Sequence, residues 1–141
     1  MNLQDYFRAL SERLRRVRVC CGDFMRVLGY SVTVKYGLTA VFLDPPYKHS
    51  IGRRKTLYVE ENGDDPAERA YKYAMENGDN PMLRIALCGY EGEHDMPKSW
   101  ECYEWKATGG FGNKRKDGQN ENRHRERIWF SPHCLKEESL F

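Results

Sequence analysis

The stretch LTAVFLDPPY, residues 38–47, decides how this chain folds. Residues 38–43 form an apolar run that is too short for a helix and has no polar alternation, which is typical of a strand buried on both faces of a parallel sheet. The run stops at two consecutive prolines, which have no N–H to donate and cannot continue a central ladder. The sequence therefore predicts a buried strand with Asp44 at its carboxyl end.

A helix and a second strand follow along the chain. Asp65, Pro66 and Glu68 suit the N-cap and first turn of a helix, and Gly78 suits its C-terminal cap. The buried stripe predicted for this helix consists of Ala67, Ala70, Tyr71, Ala74 and Met75. A second apolar strand at residues 84–88 completes the order strand, helix, strand. This order predicts a βαβ unit with parallel strands.

The amino-terminal residues are predicted to form another helix. Apolar residues between positions 3 and 17 recur at helical spacing, which indicates an amphipathic helix docked on a core. Its arginines either contact DNA or form a solvated face. Residues 17–21 are predicted to form a short strand, closed by Gly22-Asp23-Phe24 and followed by one helical turn at residues 25–28.

The carboxyl-terminal part has the pattern of a β-hairpin. Residues 101–106 alternate, with Tyr103 and Trp105 on one face, and residues 127–131 are predicted to form a second strand. The connection between them, residues 107–126, is rich in Gly, Asn, Lys and Arg. A loop of this length inside a compact domain is usually functional or mobile.

Composition limits what the chain can be. Its 141 residues are the length of a single domain, which we assign to residues 1–141. Lys and Arg number 23 against 21 Asp and Glu, so a net charge of +2 excludes a bulk polycation, and nucleic-acid binding needs local basic patches. The sequence has neither an apolar run of membrane-spanning length nor a signal peptide, so we expect a cytoplasmic protein.

The five cysteines do not have the pattern of a disulfide scaffold. Their number is odd and no CxxC pair is present, so we expect reduced thiols that are buried or half-buried. A zinc site formed by His124, His133 and Cys134 remains an alternative, although the spacing matches no standard pattern, and we predict no metal site.

Asp44-Pro45-Pro46-Tyr47 is the segment with the strongest chemical signal. Ligands of open α/β sheets bind beyond the carboxyl ends of the strands, where Asp44 is predicted to lie. A carboxylate, a proline carbonyl and an aromatic ring close together suit a flat ring with an exocyclic amine, because the oxygens accept both amine hydrogens and the ring stacks. The alternative is a tight structural turn with a packed tyrosine.

The same four residues resemble the catalytic motif of amino-methyltransferases that use S-adenosylmethionine. The wider sequence is similar to the DNA adenine N6-methyltransferases of bacteria and phages, and residues 13–24, 83–92, 105–112 and 125–134 carry this resemblance. It therefore covers nearly the whole chain. It implies an α/β, partial Rossmann-like methyltransferase fold with a C-terminal antiparallel hairpin, and a location in a bacterial or phage-infected cell.

The resemblance also implies roles for individual residues. Asp44 and the Pro45 carbonyl, held in the turn with Pro46, would accept hydrogen bonds from the N6 amine of an adenine flipped out of double-stranded DNA. Tyr47 would stack on that adenine. S-adenosylmethionine would be bound by Asp23, Phe24 and Asp44, whereas Tyr90 either lines the same pocket or packs in the core.

One expected feature of the family is missing ahead of Asp44. These enzymes carry a glycine-rich cofactor loop of the F-x-G-x-G type before the catalytic motif, and residues 109–112, although glycine-rich, follow it. We therefore expect the carboxyl-terminal part of a methyltransferase, in a truncated or split form. Either another chain supplies the amino-terminal half, or the fragment closes differently, or it is poorly stable. The alternatives are a non-catalytic remnant or DNA-binding fragment, and an amino-methyltransferase acting on cytosine N4 or RNA.

Two basic clusters are predicted to contact DNA phosphates, and the alternative for each is an ordinary solvated loop. The first follows the catalytic motif and the second fills the hairpin loop. The predicted DNA-binding residues are Lys48, Arg53, Arg54, Lys55, Lys114, Arg115, Lys116, Arg123 and Arg125, with Arg127 at the end of the second cluster. Nothing in these clusters specifies a base sequence.

Overall fold

The computed structural model describes residues 2–46, 65–104 and 125–134. Within these ranges the chain forms three α-helices, α1 (Leu3–Leu14), α2 (Met25–Leu28) and α3 (Pro66–Asn77). It also forms four strands, β1 (Thr39–Leu43), β2 (Leu83–Tyr90), β3 (Glu101–Glu104) and β4 (Glu126–Phe130). The strands make one mixed sheet in the order β1-β2-β4-β3, so the protein has a mixed α/β architecture.

The predicted βαβ unit is confirmed. β1 and β2 are parallel, with Thr39 opposite Leu83 and Leu43 opposite Leu87, and α3 lies between them in the chain. The hairpin is confirmed as well, because β3 and β4 pair antiparallel and β4 also pairs antiparallel with β2. The sheet therefore changes from parallel to antiparallel at β2.

The start of α3 follows from its sequence. The Asp65 side chain accepts a hydrogen bond from the Ala67 N–H at 3.0 Å, and Pro66 occupies the first turn, where a missing N–H costs nothing. Gly78 caps the other end, but its φ of −61° is open to any residue. A Cβ at Gly78 would lie 2.5 Å from Cζ2 of Trp100, so close packing explains this glycine.

The core lies between α3 and one face of the sheet. Alternate residues of the strands point to that face, and Ile85 and Leu87 at its centre are fully buried. The buried cluster consists of Val41, Leu43, Ala70, Tyr73, Ala74, Leu83, Ile85, Leu87, Trp100 and Trp129. In α3 the predicted burial of the three alanines is confirmed. Tyr73 is buried as well, whereas Tyr71 and Met75, which the sequence placed in the stripe, are only half-buried.

Several sequence-based expectations are wrong. β1 is buried on one face only: Val41 and Leu43 pack in the core, whereas Phe42 points to the other face and is 65% exposed. In the described sheet β1 also lies at an edge. Residues 17–21 form no strand with any described part of the chain. α1 forms, but none of its residues is buried, so its apolar stripe is not docked on the described core. The turn at Met25–Leu28 is confirmed.

The cysteines are more exposed than expected. All five are free thiols, but Cys20, Cys21 and Cys102 are exposed, whereas Cys88 is buried and Cys134 is half-buried. No helix in the described residues is long and apolar enough to cross a membrane.

Candidate functional site

The segment Asp44-Pro45-Pro46 leaves the sheet at the carboxyl end of β1. The last residue of that strand, Leu43, is opposite Leu87, so Asp44 follows at the level of Cys88 in β2. Parallel strands end at a common edge, and this is the edge at which open α/β sheets bind ligands. The sequence-based position of Asp44 is therefore confirmed, although β1 is an edge strand.

A cavity of about 320 Å³ opens beside this segment. Its walls come from three parts of the chain: the residue before α2, the end of β1 with the following turn, and the first turns of α3. The described lining residues are Phe24, Phe42, Leu43, Asp44, Pro45, Pro46, Pro66 and Ala70. A mostly apolar lining with a single carboxylate is the usual composition of a small-molecule site.

Phe24 is the residue that connects the two predicted site segments. The sequence assigned it to cofactor binding and Asp44 to catalysis, 20 positions apart, and the fold brings both to the same cavity. The guanidinium of Arg69 in α3 lies 5.2 Å from the centroid of the Phe24 ring. This cation–π contact holds the ring against α3 and thus at the wall of the cavity.

Asp23, next to Phe24, is fixed by two contacts. Its Oδ1 accepts a hydrogen bond from the Met25 N–H at 2.9 Å, at the start of α2. The Arg69 guanidinium donates to Oδ1 at 2.9 Å and to Oδ2 at 2.7 Å. The hydrogen bonds from Arg69 and then from Met25 lower the pKa of Asp23, so its carboxylate is ionised at neutral pH.

A second cavity, of about 490 Å³, also has Phe24 in its lining. Its described lining is the segment before and within α2: Cys20, Cys21, Gly22, Asp23, Phe24, Arg26 and Val27. Phe24 therefore contributes to the cavity that Asp23 lines as well as to the cavity that Asp44 lines.

Glu126 is a site residue that the sequence did not reveal. It is the first residue of β4 and lies opposite Tyr90, at the end of β2 where Asp44 also lies. Burial, and after it the charge of Asp44, raises the pKa of Glu126. Sequence reasoning treated residue 126 as the end of a loop, because the pairing of β4 with β2 is long-range.

Cys88 lies in β2 between the two carboxylates. Burial, together with the charges of Asp44 and Glu126, raises the pKa of its thiol to about 12. The thiol is therefore protonated at neutral pH and is an unreactive, hydrophobic part of the sheet. The charges of Asp44 and Glu126 thus both contribute to the raised pKa of the Cys88 thiol.

Tyr90 is buried at the end of β2, and the Arg125 guanidinium lies 5.3 Å from its ring centroid. Burial is the main cause that raises the pKa of the phenol. Tyr90 is not among the described lining residues of the cavity beside Asp44, which favours the packing role over the pocket role. Arg125, one of the two predicted DNA-contact residues that the structure describes, lies next to Tyr90.

Most of the predicted DNA-contact residues lie outside the described residues, as does Tyr47. These are Lys48, Arg53, Arg54, Lys55, Lys114, Arg115, Lys116 and Arg123. The expectation that Arg127 contacts DNA is wrong. Arg127 belongs to β4 and is only 8% exposed, and its guanidinium forms ion pairs with Glu91 at 3.2 Å and with Glu104 at 3.7 Å. It therefore stabilises the sheet.

The described part of the chain contains no group of three potential metal ligands. His133 Nε2 lies 3.0 Å from the Asp79 carbonyl oxygen, and Cys134 Sγ lies 3.5 Å from Ser131 Oγ. His124, the third member of the zinc alternative, lies outside the described residues.

In comparisons with protein-family models, curated proteins and solved structures, nothing matches this chain.

Proposed function

We propose that this chain carries the amine-binding part of an S-adenosylmethionine-dependent DNA adenine N6-methyltransferase. The observation that carries the proposal is the cavity of about 320 Å³ in which Phe24 meets Asp44, Pro45 and Pro46 at the carboxyl end of β1. The resemblance gives Phe24 a role in cofactor binding and gives Asp44 and Pro45 a role in binding the amine. A methyl transfer requires that these two groups of residues lie close together, as they do at this cavity.

Asp44 and the Pro45 carbonyl act on the amine. Both are hydrogen-bond acceptors, and the N6 amine offers two hydrogens. The amine is a weak nucleophile because its lone pair is delocalised into the purine. Accepting both hydrogens favours a pyramidal nitrogen, whose lone pair then points at the methyl group of the sulfonium that S-adenosylmethionine supplies. Orientation and electrostatics provide the acceleration, with no covalent enzyme intermediate.

The carboxylate of Asp44 has a second effect. In the transfer the bond between nitrogen and the methyl carbon would form as the sulfur–methyl bond breaks, and S-adenosylhomocysteine would leave as a neutral thioether. Positive charge would develop on the amine nitrogen, and a nearby carboxylate stabilises that charge. Glu126, with its raised pKa, adds a second acidic group at the same edge. The proton lost from nitrogen leaves to solvent or to one of these groups.

The cofactor side of the site is formed by Phe24 and Asp23. The Phe24 face offers a stacking surface for the adenine of S-adenosylmethionine, and the cavity of about 490 Å³ beside it has room for the rest of the molecule. Arg69 orders both residues through the ion pair and the ring contact. We propose that a second chain supplies the glycine-rich loop.

Recognition of the amine can be tested without the cofactor by measuring the affinity of the chain for two DNA duplexes. Two otherwise identical duplexes carry one unpaired adenine or one unpaired hypoxanthine, which has a carbonyl in place of the amine. We expect the chain to prefer adenine by about fivefold or more, since a wrong base contact costs about 1–3 kcal/mol. Asp44→Ala should remove the preference. Equal binding of both duplexes by the wild-type chain would contradict the proposal.

A further inference from the structure

Two adjacent exposed thiols lie in the segment before α2. Cys20 and Cys21 are both exposed, and both line the cavity of about 490 Å³. They belong to residues 17–21, which form neither helix nor strand, so no ladder of backbone hydrogen bonds fixes their geometry. The proposed methyltransferase chemistry uses neither of them.

Their spacing decides what this pair can do. Neighbouring Cα atoms across a trans peptide are about 3.8 Å apart, whereas relaxed disulfides join Cα atoms about 4.4–6.8 Å apart. A direct disulfide between adjacent cysteines is therefore strained and easily reduced. An atom inserted between the two sulfurs removes this restriction, because each sulfur then bonds to that atom at its own distance.

The number of ligands narrows the choice of inserted atom. The described residues hold no group of three potential metal ligands, so the pair has no third neighbour of that kind there. Zinc prefers four ligands and is disfavoured at such a pair. Soft centres that are satisfied by two thiolates suit it better.

We propose that Cys20 and Cys21 form a dithiol site that captures a soft thiophile with two exchangeable positions, of the class of trivalent organoarsenicals, through both sulfurs. In the capture of phenylarsine oxide, both S–H bonds and the arsenic–oxygen bond break, and two arsenic–sulfur bonds form. The two protons and the oxygen leave as one water, and arsenic stays trivalent, so no oxidant is needed. The product places a phenyl group at the mouth of the cavity beside Asp23.

The other cysteines provide internal controls. Cys102 is exposed but single, so it offers only one sulfur. Cys88 is buried and its thiol pKa is raised to about 12, which protects it in the folded chain. Cys134 is half-buried, with its Sγ 3.5 Å from Ser131 Oγ and from the Ile85 carbonyl oxygen. A stable one-to-one adduct is therefore expected at the adjacent pair alone.

Intact mass measured after excess 2-mercaptoethanol tests the proposal on the full folded chain. The wild-type chain and Cys102→Ser should each retain one phenylarsenic group per chain, and 2,3-dimercaptopropanol should remove it. Cys20→Ser and Cys21→Ser should each lose it, because a single sulfur is displaced by the monothiol. Circular dichroism checks that all variants remain folded, which is expected for substitutions at exposed positions.

Three results would overturn the proposal. The first is loss of the group from the wild-type chain in 2-mercaptoethanol. The second is retention by Cys20→Ser or Cys21→Ser at the wild-type level. The third is an adduct that links two chains, which would show that the sulfurs act between molecules. None of these results depends on methyltransferase activity.

Discussion

The carboxylate of Asp23 and the guanidinium of Arg69 form an ion pair at 2.7 Å that joins residues 46 positions apart. Asp23 precedes α2 and accepts a hydrogen bond from its first residue, Met25, and Arg69 is the fourth residue of α3. The pair therefore ties the segment before β1 to the helix that follows it. The same guanidinium contacts the Phe24 ring. Arg69 therefore helps to hold Phe24 at the cavity, together with the packing of the Phe24 ring against the core.

Arg69→Ala should loosen this segment without unfolding the sheet. The variant removes both the ion pair and the ring contact, so we expect faster amide hydrogen exchange at residues 23–28 and unchanged exchange in β2. Lys72→Ala is the matched control on the same helix, because the Lys72–Glu76 pair is long, at 3.9 Å, and exposed. Equal exchange at residues 23–28 in wild type and Arg69→Ala would contradict the assigned role.

Acid should loosen the same segment. The pKa of Asp23 in the folded chain lies below the ordinary value of 3.8. Its contribution to stability is thus fully present above that value and is lost as the pH falls through the lowered pKa. We expect the local protection of residues 23–28 to fall with acidification in wild type, and to be less pH-dependent in Asp23→Asn. Identical pH profiles for the two chains would exclude this coupling.

Gly78→Ala should destabilise the fold. The new Cβ would lie 2.5 Å from Trp100 Cζ2 and 3.0 Å from the Ala74 carbonyl oxygen, and such overpacking costs about 1–3 kcal/mol. Gly29→Ala is the control, since a Cβ there meets nothing within 4 Å and the φ of −64° suits alanine. Denaturant unfolding measures both. A stability of Gly78→Ala equal to that of Gly29→Ala would show that Trp100 moves away freely.

Asp44→Asn should lower the pKa of Glu126. Burial raises that pKa above 4.5, and the negative charge of Asp44 raises it further. Removing the charge leaves only the burial effect, so the titration of the Glu126 carboxyl carbon, followed by NMR, should move to lower pH. Glu12→Gln, on the exposed helix α1, should leave it unchanged. An unaltered Glu126 titration in Asp44→Asn would mean that the two carboxylates do not interact.

Glu126→Gln should stabilise the chain at neutral pH. A folded-state pKa above the unfolded value means that stability falls as the pH rises from below 4.5 through the raised value. The amide cannot ionise, so it avoids this loss. We expect a higher denaturation midpoint for Glu126→Gln than for wild type at pH 7, and a smaller difference at pH 4. A lower midpoint at pH 7 would indicate that the ionised carboxylate makes a stabilising contact.

Local signals in the sequence were sufficient for the βαβ unit. The N-cap at Asp65, the proline at the first turn of α3 and the apolar run before Asp44 each depend on neighbouring residues, and all three are confirmed. The proline pair also located the end of β1 correctly, because missing N–H groups act locally. These features placed Asp44 correctly at the carboxyl end of β1.

Long-range features escaped sequence reasoning. The exposure of Phe42 follows from the place of β1 at the edge of the sheet, and the role of Glu126 follows from the register of β4 on β2. Neither is encoded in a local pattern. The amphipathic period of α1 correctly predicted a helix, but periodicity does not say what, if anything, covers its apolar face.

Transfer of labelled methyl from S-adenosylmethionine to adenine-rich duplex DNA tests the central claim most directly. The chain is assayed together with a polypeptide that carries a glycine-rich cofactor loop of the F-x-G-x-G type, and Asp44→Ala is the matched control. We expect label in N6-methyladenine with the wild-type chain and none with Asp44→Ala. Undiminished transfer by Asp44→Ala, or no transfer by the folded wild-type chain in this mixture, would contradict it.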